Sequence, residues 1–339
     1  MQLDIVEALR IVVDEINQVI PDSLEIVNNK IYLSKNGTLI SNGTNLSSND
    51  ITDITKKINT NTTNIEVNQN NIKANTNNIK TIKSYFPLNG KNILMLGDSI
   101  MGADRTNGVP DFVKSFTGAN VWNGGLSGTH LAYRGEGLTN NVGCLDGERI
   151  IDALISGNWS EQKACVKALY DQGKFKYFTE TINTLAAIDM STVDVLTLAF
   201  GTNDWTGGRK QTDVLNALTS VIDKVQKNFP HVRILVITPI YRYFGGSGSA
   251  GDSDTVTKIG STDIGYTLKS LALKIEETAK NKRISVLNAY QELPLSVNNA
   301  STYFDKDSST TDGLDHTHLN TNGNRMYAHI ISGKLNSIF

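Results

Sequence analysis

The chain has 339 residues, of which 39% are hydrophobic and 19% charged, and its 32 Lys and Arg against 34 Asp and Glu leave a formal net charge of −2. That length can bury at least one large core, and the charge balance gives no support to nucleic acid as a partner, which needs a basic face. No apolar run approaches the roughly 20 residues that cross a bilayer, so no membrane span is expected.

The first stretch, Leu3 to Ile20, places Ile5, Leu9, Val12, Ile16 and Val19 at alternating spacings of four and three. That is a coiled-coil seam, too short to be stable alone, so it is expected to pack on copies of itself or on a partner. Its Asp4, Glu7, Asp14 and Glu15 do not suit a signal peptide, whose middle is uncharged. Pro21 ends it. Ile31 to Ile40 then alternates apolar and polar residues around Asn36-Gly37, a strong hairpin signal. Residues 1–50 therefore read as an attachment and oligomerisation segment.

Next, Ile51, Ile58, Ile65, Ile72 and Ile79 recur every seven residues, with Ile54, Asn61, Asn68, Asn75 and Ile82 as companions. With the first set at heptad position a and the second at d, Ile51 to Ser84 is predicted to be one helix about 50 Å long. Three consecutive Asn at d are costly against a monomeric core. Around the axis of a parallel bundle they bond to each other, to water or to an anion, and they fix register and strand number. Ile at a without Leu at d is not the dimer recipe, so residues 51–84 read as the stalk of a homotrimer. The pattern resembles the trimeric stalks of phage tail fibres and bacterial adhesins. Composition changes near residue 85, and a boundary is placed at Tyr85–Asn89, where Pro87 and Gly90 interrupt any helix.

From Lys91 onward, apolar strands are predicted at Asn92–Leu96, Ala119–Trp122, Val193–Phe200, Val232–Thr238 and Ile284–Leu287. Between them lie amphipathic helices. One carries Val214, Leu215, Leu218, Val221, Ile222 and Val225, with Thr212 as its expected cap. Another carries Leu268, Leu271, Ala272 and Ile275, and a last one starts near Thr321. Uniformly apolar strands alternating with helices imply an α/β fold whose parallel sheet is covered on both faces. Ligands bind such sheets at the carboxyl ends of the strands. Cys144 and Cys165 lack metal spacing and are too few for a disulfide framework, so they read as two packed thiols.

Chemistry-bearing residues gather at those strand ends. The first strand runs into Gly97-Asp98-Ser99, which exposes a hydroxyl and a free backbone N–H. The second ends in Asn123-Gly124-Gly125-Leu126-Ser127-Gly128, where glycine lets backbone approach a ligand. The third ends in Gly201-Thr202-Asn203-Asp204, whose Asn amide can donate to a developing negative charge. Before the last helix comes Asp312-Gly313-Leu314-Asp315-His316-Thr317-His318. In a turn, the Asp315 carboxylate reaches the His318 Nδ1–H and leaves Nε2 as a base. Asp312 and His316 are rival members. The same residues could hold zinc, but His at i and i+2 fit one site poorly, and no metal is expected.

On these fragments, residues 91–339 resemble the SGNH hydrolases, also called the GDSL esterase/lipase family. Gly97-Asp98-Ser99-Ile100, Gly125, Asn203 and Asp315-His316-Thr317-His318 match its four blocks. The resemblance implies a three-layer α/β/α sandwich over residues 85–339. It implies Ser99 as nucleophile, Asp315 and His318 as its partners, and an oxyanion hole from the N–H groups of Ser99 and Gly125 and the side chain of Asn203, with Gly124 as a possible substitute. No cofactor is implied. The Gly-x-Ser-x-Gly elbow of α/β-hydrolases is absent around Ser99, which makes that fold the weaker analogy. Residues 129–192 and the Gly/Ser-rich 245–253 are long insertions that could wall or cover the site.

With His318 as base, activity is expected to fall below about pH 6, given a free imidazole pKa of ~6.5. Trp205, Tyr241, Tyr243 and Phe244 follow strand ends and could stack on sugar rings, or could simply be core. The stalk supplies the context: a trimeric phage tail or baseplate protein at the host cell surface, presenting heads that remove acyl, in the first place acetyl, groups from a bacterial surface polysaccharide or wall polymer. Residues 1–50 could dock on other tail proteins. A lipase or lysophospholipase, and a receptor-binding head with a vestigial site, are the alternatives.

Overall fold

The computed structural model describes residues 23–27, 30–35, 38–39, 44–45, 48–84, 87–135, 142–244, 251–259 and 262–339. The expected helix over Leu3 to Ile20 lies outside them. The chain divides into two units, Met1–Thr81 and Ile82–Phe339.

In the first unit, β1 (Ser23–Val27) pairs antiparallel with β2 (Lys30–Lys35), which also pairs with β3 (Thr38–Leu39) and β4 (Thr44–Asn45). Lys35 faces Thr38; the expected turn residues between them, Asn36 and Gly37, lie outside the described residues. Helix α1 spans Ser48–Ser84, starting one turn before the expected Ile51. Ile58, Ile65 and Ile72 are 37%, 39% and 42% exposed, an unusual cost for one lone helix. The hydroxyls of Thr60, Thr62, Thr63 and Thr76 bond back to carbonyls four residues earlier, which satisfies them locally.

The second unit opens with β5 (Asn92–Gly97), α2 (Ser99–Gly102), α3 (Val109–Thr117) and β6 (Asn120–Gly125). The long insertion follows and contains α4 (Gly147–Ser156), α5 (Ser160–Asp171) and α6 (Phe178–Ala187). Then come β7 (Val195–Ala199), α7 (Thr202–Thr206), α8 (Gln211–Asn228), β8 (Arg233–Ile237), α9 (Leu268–Asn281) and β9 (Ser285–Leu287). The chain closes with β10 (Phe304–Lys306), β11 (Leu314–Leu319) and α10 (Thr321–Asn336).

The five-stranded sheet has the order β9–β8–β7–β5–β6, and every pair is parallel. All five expected strands are present. β7 is buried throughout, and Ile93 to Leu96 of β5 are nearly inaccessible, as strands covered on both faces must be. The α/β fold expected from the alternation is therefore observed. α3 packs on α10, while α8 packs on α4 and α9. Right-handed crossovers put these two groups on opposite faces. In order of appearance the strands run 2-1-3-4-5, which reverses direction between β5 and β7. The crevice for a ligand opens at the carboxyl ends of those two strands.

Two local expectations need correction. Thr212 lies inside α8, whose cap is Lys210 with no side-chain bond; the side-chain cap falls instead on Thr267, whose hydroxyl accepts the Ser270 N–H at 3.0 Å and starts α9. Cys144 and Cys165 are not separate thiols but a disulfide joining the start of the insertion to α5. Spacing along the chain could not show this, because pairing requires the fold to bring two Cα atoms close, here to 6.6 Å. Closing a loop of this size stabilises by roughly 3 kcal/mol. Reduction, or Cys165→Ser, should therefore lower the thermal midpoint by about 6–12 °C for a domain of this size. An unchanged midpoint under reductant would mean that the bond contributes nothing.

Candidate active site

β5 delivers the serine. Gly97 ends the strand in a tight space, where a Cβ would lie 2.8 Å from the Ala199 carbonyl oxygen. Asp98 caps α2 by accepting the Ile100 N–H at 3.0 Å, which makes Ser99 the first residue of the helix. Gly102 and Gly125 let α2 sit directly on the end of β6: a Cβ on Gly102 would come within 2.3 Å of Gly125 backbone atoms.

The histidine arrives from the opposite end of the sequence. It was expected in a turn, but it lies on strand β11. Phe304 pairs with Leu319 and Lys306 with Leu314, so β11 carries three more residues than β10 between the paired ends and bulges. Within the bulge, Asp315 Oδ1 accepts the N–H groups of Thr317 at 2.8 Å and His318 at 2.9 Å, which is turn geometry inside a strand. Asp315 Oδ2 then takes His318 Nδ1–H at 2.7 Å, and His318 Nε2 meets Ser99 Oγ at 2.8 Å. An ionised carboxylate only accepts, so the proton is assigned to Nδ1 and the Ser99 hydroxyl donates to Nε2.

Electrostatics support that assignment. Burial alone would raise Asp315, but the hydrogen bonds from His318 outweigh it and hold the carboxyl at about 2. The bond to Asp315 pushes His318 above its ordinary value, against an opposing effect of burial. Asp98, 2% exposed, is driven up to about 6 by burial; its field also favours the His318 cation. The rival pair is resolved. His316 Nε2 bonds Asp312 Oδ1 at 2.8 Å, and the Tyr243 hydroxyl donates to Asp312 Oδ2 at 3.0 Å. They form their own group beside the Ser99 relay.

The donors require one correction. Asn203, at the end of β7, lines the cleft with Ser99 and His318 and donates one amide N–H to the Thr129 carbonyl at 3.0 Å. Gly125 does not fit the part expected of it, since its N–H is spent on Asn123 Oδ1 at 3.0 Å. Gly124 sits in the sheet opposite Leu96. The other N–H groups of the loop are partnered with one exception. Leu126 donates to Gly97, Ser127 to the Tyr177 hydroxyl, Thr129 to Leu126, His130 to Asp146, and Leu131 and Ala132 to Asp204. Between Gly125 and Ala132, only Gly128 has an N–H with no partner, and Gly128 lines the cleft. Its φ of +75° is a conformation that favours glycine. The sequence carried the signal in the third glycine of the run, the one beyond the strand end.

Three of the four aromatic residues expected to stack on sugars, Trp205, Tyr241 and Tyr243, are core. Trp205 is fully buried and donates to the Tyr266 carbonyl. Tyr241 packs edge-on against Tyr290, and Tyr243 packs against Phe304 and His316. Phe244 belongs to a two-residue strand, Tyr243–Phe244, and its side chain lies outside the described residues, as do residues 245–250. The aromatic at the cleft is instead Phe175, 39% exposed and stacked on Phe178. It lies in the insertion, where no pattern marked it. Arg105 reaches the same cleft, with its guanidinium on the carbonyls of Asn123 and Gly125 and over the Tyr177 ring. Among the described residues, no group of three His, Cys, Asp or Glu side chains is arranged to hold a metal ion.

No curated protein matches the sequence. One solved structure aligns with a TM-score of 0.52 at 16% identity, covering 74% of this chain and 98% of its own, and that likeness bears on the fold. Two more distant structures cover the same 74% of this chain and all of their own. They are Est24, a carbohydrate acetylesterase from Sinorhizobium meliloti, with a TM-score of 0.45 at 16% identity, and the aryl esterase of M. smegmatis, with 0.46 at 14%. Residues 95–326 match the family model described as GDSL-like Lipase/Acylhydrolase family. That match spans well over half of the chain, and the chain belongs to this family of carboxylic ester hydrolases, the SGNH hydrolases.

Proposed function

We propose that the protein is a serine esterase that removes acetyl groups from a bacterial surface polysaccharide or wall polymer, carried on a trimeric stalk as a phage tail or baseplate receptor-binding protein. The single observation behind the chemistry is the relay Asp315–His318–Ser99, joined at 2.7 and 2.8 Å beside an unpartnered Gly128 N–H.

In this reading His318 Nε2 takes the Ser99 proton as Oγ attacks the ester carbonyl carbon. The tetrahedral oxyanion is held by the N–H groups of Ser99 and Gly128 and by the Asn203 amide. His318 then gives the proton to the departing sugar oxygen, leaving Ser99 acetylated. Water, deprotonated by His318, attacks the acyl-enzyme and releases acetate and free serine.

A polyhydroxylated substrate suits the cleft, whose lining includes Asp104, Arg105, Asp305 and Asn320, with Phe175 offering a ring face. A lipase would need a long apolar groove at the same place. The exposed isoleucines of α1 favour assembly of the stalk, and three linked heads would turn weak glycan contacts into avidity. A formed disulfide suits a protein that works outside a reducing cytosol.

Acetate release from purified wall and capsule polymers, run beside acyl esters of increasing length, tests the substrate. Preference for long chains, with no acetate from any glycan, would favour the lipase reading. Binding to cells without turnover of any ester would favour a vestigial head. Sedimentation equilibrium tests the stalk: a mass of about three chains is expected, and a monomer would remove the tail-fibre reading while leaving the esterase.

A further inference from the structure

Asp204 has no place in the chemistry above, yet its carboxylate is completely buried. It follows Asn203 in α7 and points at the loop that carries Gly128. Its Oδ2 accepts the Leu131 N–H at 2.9 Å and its Oδ1 accepts the Ala132 N–H at 3.1 Å. Asn203, one residue earlier, donates to the Thr129 carbonyl at 3.0 Å. Two neighbouring side chains thus grip the same loop at positions 129, 131 and 132. A second buried carboxylate, Asp146, takes the intervening His130 N–H at 2.8 Å and is paired with Arg134. Gly128 is the residue immediately before this clamp.

We propose that Asp204 is a positioning residue that holds the Gly128 loop in register with Asn203, so that two donors from different strand ends converge on one oxyanion. This rests on reading Gly128 and Asn203 as the oxyanion donors. The chemistry of the clamp calls for a carboxylate. Two N–H groups face two oxygens, and a carboxylate is the side chain of that size offering acceptors on both. An amide would turn a donor toward one of those N–H groups, leave it buried and unsatisfied, and displace the loop. The reaction is sensitive to such a displacement, since a misplacement of about 1 Å at a catalytic group can cost roughly 100-fold.

The test is Asp204→Asn, nearly isosteric, assayed with p-nitrophenyl acetate beside Asn203→Ala and the double variant. The expected result is kcat lower by about 10- to 100-fold with KM within about twofold, and an unchanged circular dichroism spectrum. The double variant should be less impaired than the product of the two single effects, because a site already missing one donor loses less when the other shifts. If D204N does not fold, Asp204→Ser, which keeps one acceptor in the same cavity, carries the measurement. A kcat within about threefold of wild type, or fully multiplicative effects, overturns the proposal. If wild type and Ser99→Ala are equally inactive on every ester, it is the hydrolase reading that has failed, and this proposal falls with it.

Discussion

Ser99→Ala is expected to lower kcat for p-nitrophenyl acetate by at least about 10⁴-fold, with the fold intact. The substitution removes one oxygen and nothing that holds the site. α2 is still capped by Asp98, the Ser99 N–H remains, and the Gly102–Gly125 contact is untouched. What disappears is the atom that His318 Nε2 meets at 2.8 Å, its one hydrogen-bond partner among the described residues. Some rate above that in water should survive, because the oxyanion donors can still polarise a bound ester. Thermal melting separates this outcome from unfolding. Turnover within tenfold of wild type, on a chain that melts normally, would mean that Ser99 is not the nucleophile.

The parts of this site that could be read in the sequence are those that local chemistry fixes. The strand β5 and its exit into Asp98-Ser99 were legible because an apolar run followed by a helix cap has few alternative shapes. Asp315 and His318 were legible because a carboxylate binds N–H groups two and three residues ahead whether the backbone around it is called a turn or a bulged strand. Which glycine of the run keeps an unpartnered N–H was not legible, because three glycines in one run are equivalent until each N–H is followed to its acceptor, and the acceptors lie far away: Tyr177 for Ser127, Asp146 for His130, Asp204 for Leu131. The aromatics failed for a related reason. Trp205 and Tyr243 do follow strand ends, but burial depends on distant partners, the Tyr266 carbonyl that takes the Trp205 indole N–H and the Phe304 ring beside Tyr243, and neither is visible locally. The disulfide and Phe175 both belong to the long insertion, where helices were legible but their packing was not.

The second large effect is expected from Asp315→Asn, a loss of about 10⁴-fold in kcat, and the geometry explains why an isosteric change should cost so much. Asp315 Oδ1 already holds two backbone N–H groups. An asparagine must keep its single oxygen there, so its amide nitrogen takes the place of Oδ2, facing His318 Nδ1. That nitrogen donates, which makes Nδ1 an acceptor and moves the imidazole proton to Nε2, against Ser99 Oγ. The ring is then the wrong tautomer to accept the serine proton. The pH dependence tests the same link. In the wild type the bond to Asp315, and then its charge, raise His318 above the free imidazole value of ~6.5. The base must be neutral to act, so kcat/KM should fall as pH drops through that raised pKa. The acid limb therefore belongs above about pH 6.5, the value an unpaired histidine would give. In D315N both influences of Asp315 are gone, leaving the field of Asp98 to raise the pKa and burial, the larger effect, to lower it, so the residual activity should show its limb at lower pH than the wild type. An acid limb at the same pH in both proteins would mean that Asp315 does not govern the titration of His318, and the relay would have to be assigned differently.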